Sequence, residues 1–229
     1  MSATLRVGIV GRDGRMGRAA SAWLAAAEGM ECVAAVGAGE DWGSLAQAEV
    51  VLEVTAAGLG ARHAKALLEM GLRPVVGTSG VSADEVRVLD ELARARGLGG
   101  IVVPNFSAVM MLMSEMGAAA RRWLGETTIT EVHHADKLDA PSGTARGLAR
   151  RLGVGSSEIS AVRMNGVTAL HEVRMVGTAE TLLLRHESLG LDGFREGVLE
   201  SLRYARAAEG VGEGLDVVLG EACKRGSAV

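Results

Sequence analysis

A chain of 229 residues, 48% of them hydrophobic, can bury a sizeable core as one large domain or two small ones. Its formal net charge of -4 offers no basic footprint for nucleic acid. No segment has the ~18 uninterrupted apolar residues of a membrane helix, and the apolar run at the N-terminus is too short for a signal peptide. Cys32 and Cys223 form neither a metal-type pair nor a disulfide framework, so the expectation is a cytoplasmic protein in a reducing compartment. Aromatics are only 3% against 32 glycines, which leaves Ala, Val, Leu and Met to build the core.

In chain order, LRVGIVG predicts a buried strand and RMGRAASAWLAAAEG a helix, with Met16, Ala20, Leu24 and Ala27 at helical spacing and Gly29 as its stop. ECVAAVG and EVVLEVTAAG read as the second and third strands. GARHAKALLEMGLR is a helix, PVVGTSG a strand, SADEVRVLDELARARG a helix and GIVVPNFS a strand. Strands alternating with helices predict parallel βαβ units, hence an α/β, Rossmann-like doubly wound parallel sheet.

After Pro104 the rhythm changes. AVMMLMSEMGAAARRWLG predicts a helix whose methionine stripe belongs to a core, TTITEVHH a strand, and PSGTARGLARRLG another helix. SAVRMNGVTALHEVRMVGTAETLLLRHES reads as an antiparallel meander, GFREGVLESLRYARAAEG as a helix and LDVVLGE as a last apolar segment. The expected organisation is a dinucleotide-binding domain of residues 1–106 with 192–229, interrupted by an α+β substrate domain of residues 107–191.

GRDGRMG carries Gly11, Gly14 and Gly17 as G-x-x-G-x-x-G, directly between the first strand and the first helix. The spacing alone is weak, since Gly8, Gly11 and Gly14 also satisfy it. Its placement suits a tight turn that lets a pyrophosphate approach the backbone at a helix N-terminus. A merely tight turn is the alternative. Gly37 stands where an acid for the adenosine ribose is expected, Glu40 and Asp41 come a few residues late, and Arg12 or Arg15 could meet a phosphate. Preference between NAD and NADP stays open on these residues.

TEVHHADKLDAPSGTARGLARRLG, from Thr130, gathers His133, His134, Lys137 and a helix start. Consecutive strand side chains face opposite ways, so both histidines share a pocket only if the strand ends there. Pro141 and Ser142 suit the helix start, where the amides of Gly143 and Thr144 with the Thr144 hydroxyl make an anion seat beside Lys137. Neighbouring histidines rarely chelate one ion and no Cys or His lies at a helpful interval, so no metal is expected. His63 reads as an exposed helix residue, and His171 and His186 as structural.

EVHHADKLDAPSGTA, Glu131 to Ala145, closely resembles the signature of the 4-hydroxy-tetrahydrodipicolinate reductase (formerly dihydrodipicolinate reductase) family. VGRDGRMGR, VGTSG, VPNFS, HEV (His171 to Val173) and RHES (Arg185 to Ser188) accompany it in the family's order. The resemblance implies reduction of a cyclic imine dicarboxylate with NADH or NADPH, in lysine and diaminopimelate biosynthesis, with the 4-hydroxyl lost as water. It implies His133 as the acid–base residue, assisted by Lys137, and His134, Lys137, Ser142, Gly143 and Thr144 as substrate contacts. Gly11, Gly14, Arg15, Met16, Gly17, Gly77, Thr78, Pro104, Asn105 and Phe106 are the implied cofactor contacts. A homotetramer formed through the second domain is implied by the resemblance alone. The chain departs from the family in lacking the acid after the second strand, in AVMMLM (Ala108 to Met113), and in LGLDG, where an arginine is expected after Ser188. An aspartate or homoserine dehydrogenase-like reductase is one alternative, whose general pattern does not explain the His-His…Lys…Pro-Ser-Gly-Thr run, and a non-catalytic NAD(P)-sensing protein is another, for which AVMMLM is the best argument.

Overall fold

A computed structural model describes residues 3–224, with the side chains of residues 222–224, Cys223 among them, outside the described part. The chain divides into two compact units, Met1–Phe106 with Phe194–Val229, and Ser107–Gly193. Unit 1 begins with β1 (Leu5–Val10), α1 (Arg15–Ala25), β2 (Met30–Val36), β3 (Val50–Glu53), α2 (Gly60–Glu69), β4 (Arg73–Val76), α3 (Ala83–Ala95) and β5 (Gly99–Val102). Unit 2 holds α4 (Ala108–Ala120), β6 (Glu126–His133), α5 (Gly143–Leu152), β7 (Ile159–Arg163), β8 (Ala169–Val176) and β9 (Thr181–Ser188). The chain then returns to unit 1 with α6 (Arg195–Ala207), β10 (Gly210–Glu213) and α7 (Leu215–Lys224). No helix among the described residues is long and apolar enough to cross a membrane.

The unit 1 sheet runs β10-β5-β4-β3-β1-β2, every pair parallel. Its strands read as near-continuous apolar runs because helices cover both faces. Val7, Ile9, Val50, Val51, Leu52, Val75, Val76 and Ile101 are wholly buried. Because β2 and β3 lie on opposite sides of β1, the winding reverses there and opens a crevice at the strands' carboxyl ends. The last apolar segment, LDVVLGE, lies in helix α7. One element differs from expectation: Gly210–Glu213 forms an edge strand that its glycines hide from a propensity reading.

Unit 2 is a mixed sheet in the order β7-β6-β8-β9. The predicted meander is corrected. β8 and β9 form an antiparallel hairpin, but β7 pairs with β6 in parallel and never touches β8 in the sheet. The physical reason is α5, which turns β6-α5-β7 into a crossover unit whose two strands must run the same way. Met110 and Met113 of α4, Leu148 and Leu152 of α5, and Ile129, Val173, Met175 and Leu184 of the sheet close one core, so those two methionines are core as expected, whereas Met116 of the same stripe is 57% exposed. Alternation along β6 buries Thr127, Ile129, Glu131 and His133 on the same side. Three of those four are polar, and two are ionisable.

Candidate active site

In unit 1 a cavity of about 470 Å³ opens at the carboxyl ends of β1, β2 and β3. Gly11, Gly14, Gly37, Val54 and Thr55 line it, with Asp13, Trp42 and Arg62 at its sides. Gly11 takes φ +99, a conformation natural to glycine, and a Cβ there would lie 2.7 Å from the Val54 carbonyl oxygen. Gly17 is buried where α1 meets the loop, while Arg15 is exposed and Met16 half-buried. Gly77 packs on the buried Phe106, whose ring would stand 2.5 Å from a Cβ at Gly77. Thr78 is buried, Pro104 is exposed and Asn105 is half-buried. Gly77, Thr78 and the segment Pro104 to Phe106 do not line the cavity that holds Gly11 and Gly14.

Three features of this unit escaped the sequence. Just past the end of β2, Glu40 folds back to accept the Gly37 N–H at 2.9 Å. Its carboxyl lies below the ordinary range, through the Gly37 amide first and Arg12 after it. Arg12 donates to Glu40 and, at 2.8 Å, to the Ala35 carbonyl, and its guanidinium remains partly exposed. The third is His63, read as exposed and found with a side chain only 13% accessible, 3.0 Å from the fully buried Glu53. Glu53 also accepts from Thr55, and Trp42 meets the His63 ring edge-on at 5.1 Å. A lone acid inside an apolar strand was the available signal, because a buried carboxylate needs a partner.

In unit 2 the strand ends at His133, so His133 turns into the core side at 7% exposure while His134, just beyond, is half-buried. Helix α5 begins at Gly143, and the Ser142 hydroxyl caps it by accepting from the Ala145 N–H at 3.1 Å. Ser142 is 2% exposed, and its own N–H donates to Glu131 at 3.1 Å. Its side chain is therefore occupied in building the seat, and the first helical amides are those of Gly143 and Thr144. Lys137 pairs with Asp139 at 2.7 Å on the loop between β6 and α5. That loop is held by Arg163, which donates to the carbonyls of Lys137 and Asp139 and pairs with Glu131 at 3.0 Å.

Glu131 lies beneath these groups, fully buried. Burial opposes its ionisation, yet Ser142, Arg163 and His133 together hold its carboxyl below the ordinary value. Its Oε2 stands 2.9 Å from His133 Nδ1, off the line of a hydrogen bond, so the contact is chiefly electrostatic. Burial lowers the His133 pKa, Lys137 and Arg163 lower it further, and Glu131 and Asp139 oppose them. His171 on β8 meets His133 edge-on at 5.2 Å, and burial with the neighbouring His133 pushes its pKa down to about 4. His186 on β9 stacks behind it and shares a 3.3 Å contact with Ser107. Ligand atoms of Glu131, His133 and His171 lie within 4.8 Å of one another, a grouping that sheet pairing assembles and intervals along the chain conceal. Arg163 on Oε1 opposes a dication there.

Both units match known proteins. The family description "Dihydrodipicolinate reductase, N-terminus" matches residues 5–106, and "Dihydrodipicolinate reductase, C-terminus" matches residues 107–219. The 4-hydroxy-tetrahydrodipicolinate reductase of Beutenbergia cavernae is 33% identical over 94% of this chain and 99% of its own. That of Moorella thermoacetica is 32% identical over 96% and 99%. A dipicolinate-bound dihydrodipicolinate reductase from Paenisporosarcina sp. TG-14 superposes with a TM-score of 0.79 at 27% identity, over 93% of this chain and 99% of that one. With both halves matched and full-length relatives above 30% identity, this chain belongs to the dihydrodipicolinate reductase family.

Proposed function

We propose that the chain carries out its family's reaction, that of 4-hydroxy-tetrahydrodipicolinate reductase in lysine and diaminopimelate biosynthesis, with proton and anion chemistry divided among the residues around His133. The substrate loses its 4-hydroxyl as water, and hydride plus proton then saturate the conjugated bond to give tetrahydrodipicolinate. NADH or NADPH supplies the hydride. A dinucleotide fits the glycine-lined cavity of unit 1, because a Cβ at Gly11 or Gly17 would strike backbone within 2.7 Å, leaving the loop surface bare for a pyrophosphate.

The observation that supports the assignment best is the meeting of a buried imidazole, a lysine and a capped helix N-terminus at the end of β6. Lys137 and the amides of Gly143 and Thr144 hold a substrate carboxylate and draw electron density from the ring. His134, half-buried just beyond β6, is assigned as a second substrate contact, while Ser142 shapes the seat. His133 delivers the proton, since imidazole titrates near neutrality. Dinucleotide binding by unit 1, substrate binding and homotetramer formation by unit 2, and a cytoplasmic setting complete the reading. Light scattering checks the tetramer.

The test mixes protein, NADH or NADPH and freshly generated 4-hydroxy-tetrahydrodipicolinate and follows nicotinamide absorbance. Turnover with at least one cofactor is expected, and His133→Gln should lower it by ~100-fold or more. Unchanged turnover in a folded His133→Gln protein overturns the assignment of the acid.

A further inference from the structure

Glu131 raises a question that the reaction leaves open. It sits wholly buried on β6, where an apolar residue of similar size would fill the space without desolvating a charge. Its two oxygens are nonetheless divided with care. Oε1 accepts from the Ser142 amide at 3.1 Å and the Arg163 guanidinium at 3.0 Å. Oε2 faces His133 Nδ1 at 2.9 Å. The same carboxylate thus touches the imidazole, the residue that caps α5, and the arginine that pins the Lys137 loop.

We propose that Glu131 is a positioning residue, which holds His133 by its Nδ1 edge and ties it through Ser142 and Arg163 to the carboxylate seat at the start of α5. The inference rests on His133 being the acid. A carboxylate against Nδ1 favours the proton there in the neutral ring and leaves Nε2 as the atom that exchanges a proton with substrate. Because one side chain anchors both imidazole and seat, the distance from acid to bound carboxylate is set by a rigid strand instead of by the loop.

The charges around His133 make this testable by sign. Glu131 faces it from β6, Asp139 and Lys137 from the following loop, Arg163 from β7 and the neutral His171 from β8. Glu131 and Asp139 favour the imidazolium, while burial, Lys137 and Arg163 disfavour it. Proton delivery needs the imidazolium, so activity falls as pH rises through the His133 pKa. Removing the anion lowers that pKa and moves the falling limb to lower pH. Removing the guanidinium moves it to higher pH.

The experiment measures kcat and KM against pH for the wild type, Glu131→Gln, Glu131→Asp and Arg163→Gln, each checked for folding by thermal melting and for NADH binding by fluorescence titration. In Glu131→Gln the limb should shift down by about one unit or more, with KM changed far less than kcat at neutral pH, since the amide oxygen still accepts from Ser142. Glu131→Asp should return the limb towards its wild-type place, and Arg163→Gln should shift it upward. Histidine-labelled protein observed by NMR gives the His133 tautomer and pKa without turnover, and it carries the test on Arg163→Gln should Glu131→Gln fail to fold. An Nε2–H neutral tautomer, or limbs that stay still or move in the same direction while His133→Gln is inactive, overturns the role of Glu131 alone. An active His133→Gln overturns the acid assignment and this inference with it.

Discussion

Replacing Gly17 with alanine demands room where only backbone stands. The added carbon would lie 2.1 Å from the Gly11 carbonyl oxygen and 2.7 Å from Arg12 Cα. No side chain can rotate away, so α1 and the loop must part by about 1.3 Å to reach ordinary contact at 3.4 Å. Overpacking of this kind costs about 1–3 kcal/mol. The displacement also reaches the binding surface, because Gly11 donates to the Val36 carbonyl at 3.0 Å and accepts from the Gly14 N–H at 3.1 Å. Gly14 is the internal control. It has φ -72, and its Cβ would meet the Gly11 oxygen at 3.3 Å, a matter of tenths of an ångström. Cofactor fluorescence titration with NADH and NADPH, beside thermal melting, reads both variants. Gly17→Ala should weaken both cofactors by ~10-fold or more, on the scale of ångström misplacements, and lower Tm by roughly 2–10 °C. Gly14→Ala should lower Tm by less than Gly17→Ala does, losing only a favourable helix-capping residue. Wild-type affinity in Gly17→Ala, or a larger loss of Tm in Gly14→Ala, refutes the steric argument.

Lys137→Ala should raise KM, and the Kd of pyridine-2,6-dicarboxylate measured by calorimetry, by ~10–100-fold with a smaller change in kcat, the scale of a hydrogen bond to a charged group. Undiminished inhibitor binding would put the carboxylate seat elsewhere. Glu40→Ala removes one anion from the Arg12 guanidinium near the end of β2, so the NADPH-to-NADH ratio of kcat/KM should rise by ~10-fold, about one charge-assisted contact to a 2′-phosphate. A ratio that does not move removes Glu40 from cofactor selection.

What the sequence made legible was whatever its neighbours along the chain determine. The parallel strands of unit 1 were readable because burial on both faces writes itself as VGIV or VVLE, and the βα glycines because the turn is local. The start of α5 was readable for the same reason, since a cap and its helix lie within a few residues. Pairings across the sheet were not. Glu40 looked three residues late until the turn at Gly39, with φ +76, returned it to the Gly37 amide. β7 looked like part of a meander although the helix before it already required a parallel return.

The candidate site shows the same division, and it explains why two adjacent histidines are not equivalent. His133 and His134 differ in sequence by one position, but only His133 falls on the face of β6 that carries Ile129 and Glu131. That face is furnished by residues remote in the chain. His171 arrives because Glu131 pairs with it across β8, and Arg163 because His133 pairs with it across β7. Arg163 lowers the His133 pKa and Glu131 raises it, so in the proposed role the motif supplies the acid while its cross-strand partner Arg163 helps set when it is charged. A variant that keeps every residue of EVHHADKLDAPSGTA but exchanges Arg163 should therefore alter the pH dependence of the acid, although nothing in the motif itself has changed.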